Sequence, residues 1–273
     1  MSTPESGERD PGLWQQGAAQ RAQFLGPATE LMLDLANLQE GSRVLDVAAG
    51  TGEQSLLAAQ RLGVRGHVLA VDLAARMLEE AAASARAAGV TTIATRVMDA
   101  QHLELEPASF DAVISRLGVM LVPDPGAVFA GVWRVLKPGG KFAVLVYGPI
   151  EHNLWAMVPL SIIRRVGRLP APERMEPGMF ALGDPGRLTG CFTAAGFRDV
   201  AAHSVAATRR YPSPAEAVQQ LAATQLTVRS LLAQLPDADR VRALHEMELA
   251  LEAFVDREGV ALPLEVLVGV GTK

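Results

Sequence analysis

Two aspartates, Asp72 and Asp99, close short apolar runs, and a third, Asp46, is carried by a run that continues into a glycine turn, Ala48-Ala49-Gly50-Thr51-Gly52. Carboxylates accept hydrogen bonds from hydroxyl and ammonium groups, and glycines let backbone approach a ligand. Read alone, the stretch from Gly50 to Ser55 comes near the GxGxx[G/A] pattern of dinucleotide sites, and Asp72 lies about 20 residues on, where a ribose-binding acid is expected. A nicotinamide dinucleotide is therefore one reading. Charge favours another. Glu53 opens the helix after the turn and Asp46 lies behind it, so two carboxylates would crowd a pyrophosphate on the helix N-terminus. A ligand carrying an ammonium, a sulfonium and a ribose diol suits these acids better.

The elements that must hold these residues alternate strictly. β-rich runs at 43–48, 67–72, 92–99, 110–116 and 141–148 are separated by stretches at 53–62, 74–88 and 125–136, each apolar on one side and without an internal proline. Strand, helix, strand in repetition predicts right-handed βαβ units and a parallel sheet. The runs are largely apolar rather than alternating, as strands covered on both faces are. In such a sheet ligands lie beyond the carboxyl ends of the strands, so the three acids, the glycine turn and Ser115-Arg116 at the end of the fourth run converge on one crevice. Lys137-Pro138-Gly139-Gly140 stops a helix before the fifth run.

These motifs resemble, in order and spacing, those of the class I S-adenosylmethionine-dependent methyltransferases. Val44 to Glu53 is similar to their glycine-rich first motif, and Val68 to Asp72 to the ribose-binding second. Arg96 to Ala100 resembles the adenine-proximal third; Phe110 to Arg116 and Val135 to Lys141 resemble the strand-four motif and the turn before strand five. The likeness covers about residues 31–148 and is nearest the ubiquinone/menaquinone-biosynthesis-like branch. It implies S-adenosyl-L-methionine as cofactor. Gly50, Thr51 and Gly52, with Ala48, would admit the methionine part, and Asp46 would bind near its ammonium, directly or through water. Asp72 would take the ribose hydroxyls, Leu73 and Met77 would line the adenine, and Asp99 and the Ala100 N–H would meet its edge. The Ser115-Arg116 backbone would close over the cofactor. Many relatives have glycine where Ala48 stands, which makes the turn less open. The resemblance further implies a doubly wound α/β, mostly parallel seven-stranded sheet, Rossmann-like, whose last strand, 264–270, runs antiparallel beside strand five. Structural roles compete at each position, since Asp46, Asp72 and Asp99 could cap helices or turns and Arg116 could form an ion pair.

Methyl transfer from a sulfonium needs water excluded and the nucleophile aligned, and a base only where the nucleophile carries a proton of high pKa. His152, just after the fifth run on the ligand side, is the candidate; His67 falls at the wrong end of the sheet, and His102, His203 and His245 lack a pattern pointing inward. Trp14, Phe24, Trp155, Met157, Met175, Met179 and Phe180 could roof an apolar acceptor pocket, although packing explains most of them equally well. The Pro/Gly/Met-bearing stretch 169–183 is long for a compact domain and reads as a mobile lid.

Composition narrows the rest. A net charge of −5 without a basic run argues against nucleic acid. The single Cys191 excludes an intrachain disulfide and reads as a packed residue. No apolar run is long enough for a membrane span and none resembles a signal peptide, so a cytoplasmic location is expected. No metal site is expected. The domain reading is a helical segment over the site at 1–40, a cofactor core at 41–150, a cap at 151–183 and completion of the sheet at 184–273, with a helical insertion at about 213–258. The expected activity is methyl transfer to oxygen, carbon or nitrogen of a small, apolar or aromatic metabolite, with a homodimer left open. A cofactor-assisted cyclase, a regulatory binding module and an NAD-dependent oxidoreductase are the rivals.

Overall fold

The computed structural model describes residue 12, residues 17–170 and residues 178–273. Along the chain run α1 (Ala18–Leu35), β1 (Arg43–Val47), α2 (Glu53–Leu62), β2 (His67–Asp72), α3 (Ala75–Ala87), β3 (Ile93–Val97), β4 (Phe110–Arg116), α4 (Pro125–Val135) and β5 (Leu136–Tyr147). There follow α5 (Leu154–Gly167), α6 (Pro185–Ala194), β6 (Arg198–Tyr211), α7 (Pro214–Thr224), α8 (Leu226–Ala233), α9 (Asp237–Leu251), β7 (Val255–Asp256) and β8 (Gly259–Thr272).

The strands form a sheet of order β3-β2-β1-β4-β5-β8-β6, with the two-residue β7 paired to β8 off this path. β3, β2, β1, β4 and β5 are parallel in succession, and β8 is antiparallel to β5. The doubly wound, mostly parallel sheet and its antiparallel last strand therefore stand as read from the motifs. The last strand is longer than expected, because it continues back into a hairpin with β7. β1 and β4 are buried along nearly their whole length, the signature of strands covered on both faces.

The chain divides into two units. The first comprises residues 1–147, 177–205 and 266–273 and holds the parallel strands. Its core includes a cluster of rings, Phe129, Phe142, Phe192 and Phe197, with neighbouring centroids 4.7 to 6.1 Å apart. The second comprises residues 148–176 and 206–265 and is mainly helical, α9 packing on α5 and α7. Residues 178–183 fall with the sheet rather than with the expected cap, and the helical unit is made from two excursions of the chain.

Local chemistry explains most boundaries. Asp124 and Asp184 each accept a backbone N–H at the start of α4 and α6, with proline in the first turn, and Ser213 caps α7. The helical insertion expected at about 213–258 is broken at Gln225 into α7 and α8. Gln225 is extended (φ −89°, ψ 108°), and the Thr224 hydroxyl turns back to donate to the Gln220 carbonyl. The last helix of the insertion, α9, stops at Leu251 and is followed by a 3-10 turn and β7.

Candidate active site

Left-handed backbone occurs at the carboxyl ends of β1 and β4. Gly50 and Gly52 have φ of +57° and +78°, and two non-glycine residues beside them, Ala48 and Leu117, have φ of +55° and +58°. Side-chain residues held in this region are strained, and such strain collects at ligand sites. The two glycines do different work. A Cβ on Gly50 would only graze Met77, whereas one on Gly52 would lie 2.8 Å from the Ala81 Cβ, so Gly52 lets α2 start close against α3. Ala48 has a counterpart across the turn. A Cβ on Gly118 would fall inside 3.0 Å of the Ala48 Cβ. Gly118, just past β4, leaves the room that Ala48 fills.

Asp72 is 8% exposed at the end of β2. Its Oδ2 accepts the Gly50 N–H at 2.9 Å and its Oδ1 the Ala74 N–H at 2.9 Å. A carboxylate offers about four lone-pair sites, so two remain for hydroxyls. The next residue, Leu73, is a large apolar side chain left 48% exposed, an apolar surface suited to a flat ring. Met77 is buried beneath. Asp99 is half-buried and accepts the Gln101 backbone N–H at 2.9 Å; the Gln101 side chain also reaches Asp99, and its Oε1 accepts the Asp124 N–H. Ala100 is buried, and Thr51 is buried within the turn. This cradle of acids, glycine turn and exposed leucine fits a ribosyl-adenine ligand with an amino-acid tail.

Asp46 is fully buried beneath the turn. Ser55 Oγ donates to its Oδ2 at 2.5 Å and Gln54 Nε2 to its Oδ1 at 3.1 Å. Burial pushes its pKa up to about 7, against the pull of those two hydrogen bonds and of Arg116. Ser115 is also buried, its hydroxyl donating to the Val47 carbonyl at 2.7 Å, which ties β4 to β1.

Glu53 revises the charge reasoning. Its Oε1 accepts from Arg21 at 2.6 Å and its Oε2 from Arg116 at 2.5 Å, both arginines being buried. Burial draws Arg21 below the ordinary arginine value, with Glu53 opposing. Two guanidinium groups share the one carboxylate, so the charge of Glu53 is compensated and it does not repel an anion there. Arg21 was not singled out from the sequence; its only signal is a cation on the otherwise apolar Phe24-Leu25-Ala28 side of α1.

The acceptor-side residues fall differently. Phe24 and Trp155 are 5% and 1% exposed and belong to the packing, not to a pocket roof. Met157, Met179 and Phe180 are half-buried, and Phe180 lies against Tyr147 with centroids 5.9 Å apart. Trp14, Met175 and the middle of the expected lid lie outside the described residues. In the second unit His152 is exposed, its Nδ1 3.3 Å from Glu265 Oε2. A groove of about 560 Å³ lined by Arg43, His67, Leu69, Thr92, Ala94 and Phe110 lies at the amino ends of the strands. That is the end opposite the acids, so it is not the cofactor crevice. Among the described residues no group of His, Cys, Asp and Glu could hold a metal ion. No helix among them is long and apolar enough to cross a membrane.

Sheet order, strained turn and acidic strand ends together define a Rossmann-like, nucleoside-binding enzyme fold. Residues 44–140 match the family described as "Methyltransferase domain". The chain is 33% identical over 190 residues to nocamycin O-methyltransferase of Saccharothrix syringae, covering 65% of this chain and 67% of that protein. It is 32% identical over 148 residues to the ubiquinone/menaquinone biosynthesis C-methyltransferase UbiE of Methylococcus capsulatus, covering 52% of this chain and 60% of that one. The crystal structure of the Bacillus subtilis YcgJ protein shares the fold with a TM-score of 0.60 at 18% identity, over 91% of this chain and 98% of that one. The chain belongs to the class I S-adenosylmethionine-dependent methyltransferases, and S-adenosylmethionine is its cofactor.

Proposed function

We propose that this enzyme methylates a small, apolar or aromatic metabolite, with the crevice at the ends of β1 to β4 holding the cofactor and His152 serving the acceptor. When bound, the cofactor supplies an electrophilic methyl group on a sulfonium. The chain's own work is to bind, orient and exclude water. Asp72 takes the ribose hydroxyls on its two remaining lone-pair sites while Leu73 and Met77 lie along the adenine. Asp99 and the Ala100 N–H read the ring's edge. Gly50, Thr51 and Gly52 carry the methionine part, and Asp46 supports the turn from beneath. The backbone of Ser115 and Arg116 closes over the cofactor. The observation that carries this reading is the Asp72 carboxylate, which fixes the glycine turn through Gly50 and stands beside an exposed Leu73.

Titration calorimetry with S-adenosylmethionine, S-adenosylhomocysteine and NAD tests the site, and S-adenosylhomocysteine release over a panel of hydroxylated aromatic and enolic acceptors tests the reaction. Binding of the first two ligands, lost in Asp72→Ala, and release with an aromatic or enolic acceptor are expected. Undiminished cofactor affinity in Asp72→Ala overturns the site assignment. Turnover confined to peptides or nucleic acid overturns the acceptor class.

A further inference from the structure

The second unit contains a built arrangement around His152 that the motifs do not predict. Asn153 is fully buried, and its side chain works as a clamp. Its Nδ2 donates to the carbonyls of Pro149 at 2.9 Å, Glu265 at 3.0 Å and Gly148 at 3.3 Å. Its Oδ1 accepts from Trp155 Nε1 at 3.1 Å and from the Glu265 N–H at 3.3 Å. The Gly148 N–H adds a bond to the Glu265 carbonyl at 2.9 Å. Residue 265 is thus fixed through its main chain at both its N–H and its carbonyl. Its side chain packs where Gly148 has no Cβ; one there would lie 2.9 Å from Glu265 Oε1. The carboxylate that results is only 21% exposed and sits 3.3 Å from His152 Nδ1, while the imidazole is 59% exposed.

A carboxylate oxygen this close to Nδ1 favours the proton on that nitrogen by its charge and leaves Nε2 as the proton acceptor. We infer that Glu265 is a positioning residue for His152, and that the acceptor is accordingly a protic nucleophile, a phenol or enol hydroxyl, rather than a soft or already anionic one. This rests on the proposed acceptor-side role of His152. In the step, the acceptor oxygen forms the new bond to the methyl carbon as the carbon–sulfur pair withdraws onto sulfur. The hydroxyl proton moves to His152 Nε2 and then to water. Charge balances: the sulfonium's positive charge leaves as that proton.

Because the main chain of residue 265 carries the clamp, Glu265→Ala leaves the fold in place, and S-adenosylmethionine affinity by calorimetry serves as the check. The first readout needs no acceptor: imidazole ¹⁵N shifts, assigned by comparison with His152→Ala, report the tautomer. The Nδ1–H form is expected for neutral His152 in the wild type, lost in Glu265→Ala and regained in Glu265→Gln, which keeps an acceptor. The second readout is S-adenosylhomocysteine release with phenolic and enolic acceptors. A fall in kcat of roughly 10- to 100-fold is expected in Glu265→Ala with cofactor affinity unmoved. Added imidazole should restore His152→Ala, which no purely structural role would allow. An Nε2–H tautomer in the wild type, or unchanged kcat in both alanine variants, overturns the inference and leaves cofactor binding standing. Failure of the wild type to bind S-adenosylmethionine overturns instead the reading on which it rests.

Discussion

The pairing of Ala48 with Gly118 gives a sharp test, because each alone looks like an unremarkable small residue. An alanine at 118 places two backbone-borne Cβ atoms inside 3.0 Å, where carbon–carbon contact is about 3.5 to 4.0 Å. Neither has a rotamer by which to escape, so one strand end must shift, and overpacking of this kind costs roughly 1–3 kcal/mol. Gly118 itself has φ −108° and ψ −50°, so alanine there suffers no backbone strain and the loss is steric alone. Ala48→Gly should be close to neutral. It relieves a left-handed alanine, worth about 1–2 kcal/mol, and returns about 1 kcal/mol in unfolded-chain entropy. The double variant should recover most of what Gly118→Ala loses, a coupling of about 2 kcal/mol. Urea denaturation of all four proteins at one pH measures it. Additivity of the single changes to within about 0.5 kcal/mol would refute the steric pairing.

Other expectations follow from the same geometry. Glu53→Gln strands Arg21 and Arg116 on a neutral partner and should cost about 3–5 kcal/mol in urea melts; a loss below about 1 kcal/mol would mean that the ion pairs are open to water. Asp72→Ala removes the ribose partner and also frees two backbone N–H groups, so cofactor affinity should fall at least about 100-fold and stability by about 2–4 kcal/mol. Calorimetry and denaturation must be read together. For Asp46, folding raises the pKa from 3.8 to about 7, so the folded chain holds the extra proton. Its contribution is whole below pH about 4 and disappears as pH rises through about 7, on the order of 4 kcal/mol in all. Between those limits Asp46→Asn should gain on the wild type as pH rises; parallel stability curves would refute it.

Legibility in the sequence followed the range of the interactions. Asp72 and Asp99 could be placed because each closes its own strand, and strand order then brings them to one edge. Ala48 was recognised as a departure, but Gly118, 70 positions away, could not be recognised as its complement. Glu53 was misread for the same reason: helix position shows a first-turn acid, whereas its charge is set by Arg21 and Arg116, 32 and 63 positions off. Glu265 lies 112 positions from Asn153, and no periodicity links them. The break at Gln225 escaped because its neighbours suit a helix, and tertiary packing overrides such local preference. Phe24 and Trp155 looked like pocket residues by type, yet burial rather than type decides their role.

The place of β8 has a bearing on how the molecule comes into being. β6 is joined to the rest of the sheet only through β8, and β8 is the last strand along the chain. During synthesis, β5 must wait with an open edge while more than a hundred further residues emerge. β6, already made, has no neighbour to pair with until then. Parallel and late, non-local pairings form slowly, and an unpaired apolar edge invites intermolecular association. Late closure of this edge is thus built into the strand order, and a shortened β8 would damage two strands rather than one.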